Sequence, residues 1–215
     1  MTNTQNKNSI RSILIILLYF IFPYIINFLS NSKLLITFSY LLLAAIIIFA
    51  YKNTFIKDFK EIRKNKKKYA LSILKNVAII FVVVVATNAL IGILFNIKET
   101  SENDYSLLAM FRKSPIILIL LTGIYYPIVE GVIFRKAIRD IINNKWLFII
   151  FSSIFYFFFN VVYTSMSFTS LMTSLCYLFS MMVLSNYYWK TDNFTASIIV
   201  MTIYNLIISV LSFIL

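Results

Sequence analysis

The stretch PIILILLTGIYYPIVEGVIFR, residues 115–135, has only two charged side chains in 21 positions, Glu130 and Arg135. A membrane hydrocarbon core of about 30 Å needs roughly 20 mostly apolar residues in one helix. This stretch therefore has the length and composition of a transmembrane helix with a carboxylate at membrane depth. A charge near the centre of such a helix costs about 2.5–3.5 kcal/mol on insertion scales, so the presence of Glu130 needs a reason.

The rest of the 215-residue chain is also apolar, since 60% of its residues are hydrophobic and only 13% are charged. Soluble domains average about 25% charged residues, so a cytosolic enzyme or a secreted module is excluded. Seven stretches reach spanning length: residues 12–29, 34–51, 69–96, 115–135, 146–163, 168–187 and 194–215. Lipid admits only helices or closed barrels. We therefore predict an all-α integral membrane protein with about seven transmembrane helices.

The basic residues set the orientation of these helices. With the N-terminus inside, 16 of the 20 Lys and Arg side chains lie inside and four outside, which satisfies the positive-inside rule. We predict an N-in, C-out protein of the cell membrane, with an N-terminal helical region (1–110) and a core (111–215). The basic segment 52–68 is predicted to be a solvated cytoplasmic loop that can contact anionic lipid head groups. The outer loop is predicted to contain a short interfacial helix from Tyr105.

The net charge of +12 is explained by this topology and by anionic lipids, so no nucleic-acid partner is predicted. Histidine is absent, and Cys176 is the single cysteine. One membrane carboxylate falls short of the three protein ligands of a catalytic zinc site, so no metal or cofactor is predicted. Glu130 is either a cavity-lining base, ligand or gate, or a neutral group hydrogen-bonded between helices. Asn88, Asn160 and Asn205 are polar groups of the type that ties membrane helices together.

The residues PIVEGVIFR, 127–135, resemble the first motif of the CPBP family, which comprises CAAX proteases and bacteriocin-processing enzymes. That motif has two glutamates, three further residues and an arginine, usually with phenylalanine before the arginine. Glu130, Phe134 and Arg135 match in place, and Gly131 stands where the second glutamate belongs.

Two later spans keep the spacing of the family's other motifs. Tyr156 and Asn160 resemble the motif of an aromatic residue, three residues and a histidine, with asparagine in place of the histidine. Met201 and Asn205 resemble the motif of histidine, three residues and asparagine, with methionine in place of the histidine. Three motifs in order on three spans imply the family's four-helix core over residues 110–215.

In active members, the resemblance implies that the first glutamate activates a water molecule while the two histidines and the asparagine stabilise the oxyanion. Each oxyanion donor contributes about 2.7–4 kcal/mol, so loss of both histidines removes roughly a factor of 10⁴ or more. Asn160 can still donate from its amide, whereas Met201 cannot donate. The predicted remainder is a polar cavity lined by Glu130, Arg135, Asn160 and Asn205, with a degenerate protease site.

The second motif glutamate would lie four residues before Arg135, at the spacing of an intrahelical ion pair. Because Gly131 occupies this position, Arg135 lacks that partner. We expect its guanidinium to bind lipid phosphate or water, or to snorkel to the cytoplasmic interface.

The favoured hypothesis is a pseudoprotease that binds, regulates or scaffolds a membrane-protein or peptide partner, for example in bacteriocin immunity or envelope maintenance. The alternative is an active intramembrane CAAX-type endopeptidase in which Glu130 activates water. A small transporter is a third hypothesis, disfavoured because no inverted repeat is visible. The composition, rich in Ile, Asn and Lys, is typical of a Gram-positive bacterium.

Overall fold

The computed structural model describes residues 3–29, 33–97, 114–162 and 167–214, and the regular structure within these ranges is entirely helical. The all-α prediction is confirmed. The outer loop, with the helix predicted from Tyr105, lies outside the described residues. The helices are α1 (Asn3–Leu29), α2 (Lys33–Ala50), α3 (Lys52–Lys64), α4 (Lys66–Phe95), α5 (115–141), α6 (Lys145–Val162), α7 (Phe168–Thr173), α8 (Leu175–Thr191) and α9 (Phe194–Ile214).

The helices have the dimensions of a multi-pass membrane protein. Within the described ranges, five stretches are long and apolar enough to cross a bilayer, and the bent pair of α2 and α3 would be a sixth. The five lie in α1, α4, α6, α9 and the combined α7 and α8. The remaining predicted span belongs to α5, which is helical but irregular. The count of seven and the N-in orientation stay predictions.

Helix α5 is the centre of the bundle. It contacts α1, α2, α6 and α9, and ten consecutive residues, 129–138, are buried. Two π-helical stretches, Leu121–Tyr125 and Val132–Ala137, interrupt its α-helical hydrogen bonding. Single π-helical turns are frequently found at functional sites. Helix α9 approaches α5 closely at Gly123, where a Cβ would lie 2.6 Å from Leu206 Cδ2.

The basic segment 52–68 forms helix α3 and the first turn of α4, so it is helical where a loop was predicted, and its basic side chains are exposed. Helix α3 bends by 67° from α2. Its inward side carries Phe55, Asp58 and Ile62, which recur at three- and four-residue spacing, and its lysines face outward. This periodicity is that of an amphipathic helix packed on a core, and the run of lysines obscures it in the sequence.

One end of the bundle is joined by a polar cluster, defined by Arg11, Ser12, Tyr51, Lys136 and Asp140. Ser12 Oγ lies 2.8 Å from Tyr51 Oη and donates to Asp140 Oδ2 at 3.1 Å. Asp140 also forms ion pairs with Lys136 and with Arg11, the latter at 3.7 Å. The cluster therefore brings together α1, the junction of α2 and α3, and the end of α5. All five residues belong to segments predicted to lie on the same side of the membrane or at its edge.

Candidate functional site

Glu130 lies in the α-helical segment between the two π-helical stretches of α5, and only 7% of its surface is exposed. Tyr156 on α6 donates a hydrogen bond from its hydroxyl to Glu130 Oε2 at 3.0 Å. The sequence signal for this contact is the position of Tyr156 as the aromatic residue of the second motif. Glu130 is therefore bonded between helices, and its carboxylate keeps a second oxygen for another donor.

Phe134, the aromatic residue before the motif arginine, anchors α5 to α6. It is completely buried, and its ring centroid lies 5.2 Å from that of Tyr156 and 5.0 Å from that of Phe159. Ser152 on α6 donates to the Phe134 main-chain carbonyl and lies 2.8 Å from Ser185 Oγ on α8. These contacts fix the rotation of α5, and so they hold Glu130 towards Tyr156.

Arg135 is completely buried, so the expectation that it snorkels to the interface or binds lipid phosphate is wrong. Both terminal nitrogens of its guanidinium, Nη1 and Nη2, lie 3.7 Å from the Sδ atom of Met201 on α9. A thioether is only a weak hydrogen-bond acceptor. The Nε atom has no hydrogen-bond partner, and no ion pair to Arg135 occurs within the described residues. The inward rotation of α5 places this cation in the core instead of at the interface.

Gly131 makes the burial of Arg135 possible. A Cβ atom at this position would lie 2.7 Å from Arg135 Nη2 and 3.1 Å from Ile198 Cγ1. The guanidinium thus covers the face of the helix from which a second motif glutamate would project. Gly131, Arg135 and Met201 are brought together as the three motifs predict, but they contribute no carboxylate and no imidazole.

The two motif asparagines bond to main-chain carbonyls at different levels of the bundle. Asn160 is buried, and its Nδ2 donates to the carbonyl of Tyr156, one turn earlier in α6, at 2.8 Å. Asn205 Nδ2 donates to the carbonyl of Thr122 in the first π-helical stretch of α5, also at 2.8 Å. Asn160 therefore lies next to the Glu130–Tyr156 pair. The amide nitrogen of Asn205 bonds to α5 about two turns before Glu130.

The bond from Asn205 has a local cause. Within the π-helical stretch, Tyr126 N–H donates to the carbonyl of Leu121, five residues earlier. The next residue, Pro127, has no N–H to offer the carbonyl of Thr122. Asn205 donates to this carbonyl and ties α9 to α5, which is the helix-tying role expected of membrane asparagines. Asn88, by contrast, is exposed on α4.

A second polar site joins α3 to the beginning of α9, and it has no counterpart among the sequence predictions. Asp58 is buried, and its Oδ2 accepts hydrogen bonds from Thr195 N at 3.0 Å and Thr195 Oγ1 at 3.4 Å. Asn193 Nδ2 donates to the Asp58 carbonyl at 3.1 Å, and Asn193 Oδ1 accepts from Ala196 N at 2.9 Å. We call Asp58, Asn193 and Thr195 the α3–α9 clasp. Burial raises the pKa of the Asp58 carboxyl above its ordinary value.

The described residues contain no group of three or more His, Cys, Asp or Glu side chains that could hold a metal ion. Residues 112–207 match the family model described as type II CAAX prenyl endopeptidase, Rce1-like. The matched segment contains all three motifs, so the predicted resemblance to the CAAX proteases is confirmed. No curated protein and no solved structure matches the chain.

Proposed function

We propose that the chain uses residues 112–207, the core that matches the Rce1-like model of type II CAAX prenyl endopeptidases, to bind a membrane partner or peptide without cleaving it. The observation that supports this proposal best is the environment of Arg135. Its guanidinium lies against Gly131 and the Met201 sulfur, where the family motifs have a glutamate and a histidine.

Hydrolysis of a peptide bond needs a base to activate water and donors to stabilise the oxyanion. Glu130 can serve as the base, but Met201 has no proton to donate. Removing one oxyanion donor costs about 10²–10³ in rate, so the loss of the two motif histidines weakens hydrolysis far more than it weakens binding. A site with these substitutions retains the shape of the core and loses most of the chemistry.

Binding has support in the unused polar groups of the same region. The Nε atom of Arg135 is a buried donor without a partner. In lipid, a donor finds acceptors only in protein or in a bound ligand, because water is excluded. The main-chain carbonyls of an unwound transmembrane segment or a peptide are acceptors of this kind. Because Arg135 is completely buried, such a ligand requires α9 to move away from α5.

An active endopeptidase is the second candidate, and the retained Glu130 favours it. In this alternative, the carboxylate of Glu130 takes a proton from water, and the Tyr156 hydroxyl, 3.0 Å away, orients the carboxylate. The amides of Asn160 and Asn205 would replace the histidines as donors to the oxyanion. The rate would be low, but a single dedicated substrate would suffice.

The two functions are separated by the N-termini of membrane proteins in cells that make the wild type, Glu130→Ala or no protein. A matched control, Asp192→Ala, removes an exposed acid at the end of α8. We expect identical N-termini in all four samples. New N-termini that appear with the wild type and with Asp192→Ala, and disappear with Glu130→Ala, would overturn the binding proposal.

Restoring the motif tests the same point in the opposite direction. We expect the triple variant Gly131→Glu, Asn160→His, Met201→His to generate new N-termini that Glu130→Ala abolishes. The glutamate introduced by Gly131→Glu displaces the flexible end of Arg135, 2.7 Å from the new Cβ, and requires Ile198, 3.1 Å away, to shift slightly. A folded triple variant without cleavage would show that the core lacks more than these three side chains.

A further inference from the structure

Helix α3 separates its charges completely. Its two acids lie on the inward side, where Asp58 is buried and Glu61 accepts a hydrogen bond from Tyr69 Oη at 2.6 Å. Its five cations are all exposed: Lys52, Lys57, Lys60, Arg63 and Lys64. The outward face of α3 therefore carries five cations and no acid.

Two large apolar side chains lie among these cations. Phe59 is 60% exposed and Ile56 is 43% exposed. The helix also bends by 67° from α2, which coincides with the predicted span 34–51. With α2 along the membrane normal, α3 lies closer to the membrane plane than to the normal. Exposed apolar residues between lysines, on a helix lying along the membrane surface, are typical of interfacial helices that insert between lipid head groups.

The inward side of α3 reaches the candidate site through α9. The α3–α9 clasp binds the first turn of α9, and the ring of Phe55 lies 5.6 Å from that of Phe194. Phe194 and Ile198 in turn line the space over Gly131, where a Cβ would lie 3.5 Å from Phe194 Cε2. A continuous set of contacts thus runs from the outward face of α3 to the guanidinium of Arg135.

We propose that the outward face of α3 docks on anionic phospholipid head groups, and that this contact, through the α3–α9 clasp, holds α9 closed over Gly131 and Arg135. Charge complementarity selects the anionic lipid: five cations meet the phosphates while Phe59 and Ile56 enter the acyl boundary. The proposal does not depend on whether the site cleaves or only binds a ligand.

The docking step is tested by lipid retention. The full chain is reconstituted in nanodiscs of phosphatidylcholine mixed with phosphatidylglycerol, and the retained lipids are counted by native mass spectrometry. The variant Lys57→Gln, Lys60→Gln, Lys64→Gln is compared with Lys7→Gln, Lys75→Gln, Lys190→Gln, which removes the same charge from scattered exposed positions. We expect the α3 variant to lose preference for phosphatidylglycerol by about a hundredfold, about fivefold per lysine, and the control to retain most of it.

The coupling step is tested by hydrogen exchange of the first turn of α9 in the same nanodiscs. We expect phosphatidylglycerol to slow this exchange about tenfold in the wild type, relative to phosphatidylcholine alone. The slowing should vanish in the α3 lysine variant. Asp58→Ala should also lose it while retaining phosphatidylglycerol, and Asp58→Asn, which keeps an oxygen acceptor for Thr195 N, should recover part of it.

Three results would overturn the proposal. Equal lipid retention by the α3 variant and the wild type would mean that the cations of α3 contact water or an acidic protein and not anionic lipid. An equal rate of hydrogen exchange in the first turn of α9 with and without phosphatidylglycerol would mean that lipid docking on α3 is not coupled to α9. If soluble glycerol phosphate slows the exchange equally in phosphatidylcholine nanodiscs, then α3 recognises a free anion and not a lipid surface.

Discussion

Asp140 and Arg135 are five residues apart on the same helix, yet their charges have opposite environments. Asp140 pairs with Lys136 and Arg11 and accepts a hydrogen bond from Ser12. Arg135 is more deeply buried and contacts only a thioether with its terminal nitrogens. Asp140 serves to join helices at one end of the bundle, whereas Arg135 is a buried cation that stability alone does not explain. Polar groups that a membrane core keeps without pairing them mark functional positions.

The largest expected effect is at the paired site. Asp140→Asn keeps the size of the side chain but leaves Lys136 and Arg11 facing each other without an anion. We expect a loss of about 3 kcal/mol in the free energy of unfolding, because breaking a largely buried ion pair strands its partner. Asp192→Asn, at an exposed helix end, should change it by less than about 0.5 kcal/mol. Unfolding in nanodiscs measures both, and equal effects would abolish the distinction between the two regions.

Arg135→Met should have the opposite sign. Replacing a buried charge without an ion-pair partner by an apolar side chain is expected to leave the protein as stable or to stabilise it by about 1–3 kcal/mol. Arg139→Met is the matched control, since the Arg139 guanidinium lies 3.8 Å from the Trp189 ring centroid. The control should lose about 1 kcal/mol. A marked destabilisation by Arg135→Met would show that Arg135 is a structural residue like Asp140.

A smaller effect is expected where α9 is tied to α5. Asn205→Ala removes the donor to the Thr122 carbonyl, which Pro127 cannot replace. We expect a loss of about 1 kcal/mol, the usual net contribution of one hydrogen bond. Asn88→Ala, on the exposed face of α4, should change stability by less than about 0.5 kcal/mol. A change in Asn205→Ala as small as that in Asn88→Ala would mean that the Thr122 carbonyl finds another donor.

The smallest effect is a pH dependence at the α3–α9 clasp. Burial raises the pKa of Asp58 above its ordinary value of 3.8, so the folded protein binds this proton more tightly than the unfolded chain does. Its contribution to stability is therefore fully present below pH 3.8 and is lost as the pH rises through the raised value. We expect the stability of the wild type relative to Asp58→Asn to increase as the pH falls through this window. A difference that is constant with pH would contradict the raised pKa.

The sequence predicts the helical fold because each span needs only a sufficient run of apolar residues. The described part of each predicted span is helical over most of its length. It also predicts the matched family core, since motif spacing survives the loss of the motif histidines. Position along the chain gives depth in the membrane but not rotation about the helix axis. Depth and composition favour an Arg135 side chain that faces outward, but the packing of α9 against α5 buries it. They also favour an inward Asn88, which is exposed because α4 is apolar on nearly all sides and its sequence does not indicate which face packs inward.

The clasp shows the other limit of sequence reasoning. Asp58 stands in a run of lysines, where composition indicates solvent, and its partners Asn193 and Thr195 are more than 130 residues away. Only the folded chain brings them together. The π-helical stretches of α5 are equally invisible in the sequence, apart from Pro127, whose missing N–H marks where the regular hydrogen bonding of α5 fails.

The enclosure of residues 129–138 also bears on the order in which the protein is made. A helix with Glu130 and Arg135 is a poor substrate for membrane insertion on its own, since each charge costs about 2.5–3.5 kcal/mol at mid-membrane. Its neighbours α1 and α2 are synthesised before it, but α6 and α9, which supply Tyr156 and Met201, emerge from the ribosome afterwards. Full enclosure of Glu130 and Arg135 therefore has to await the synthesis of α9, which supplies Met201.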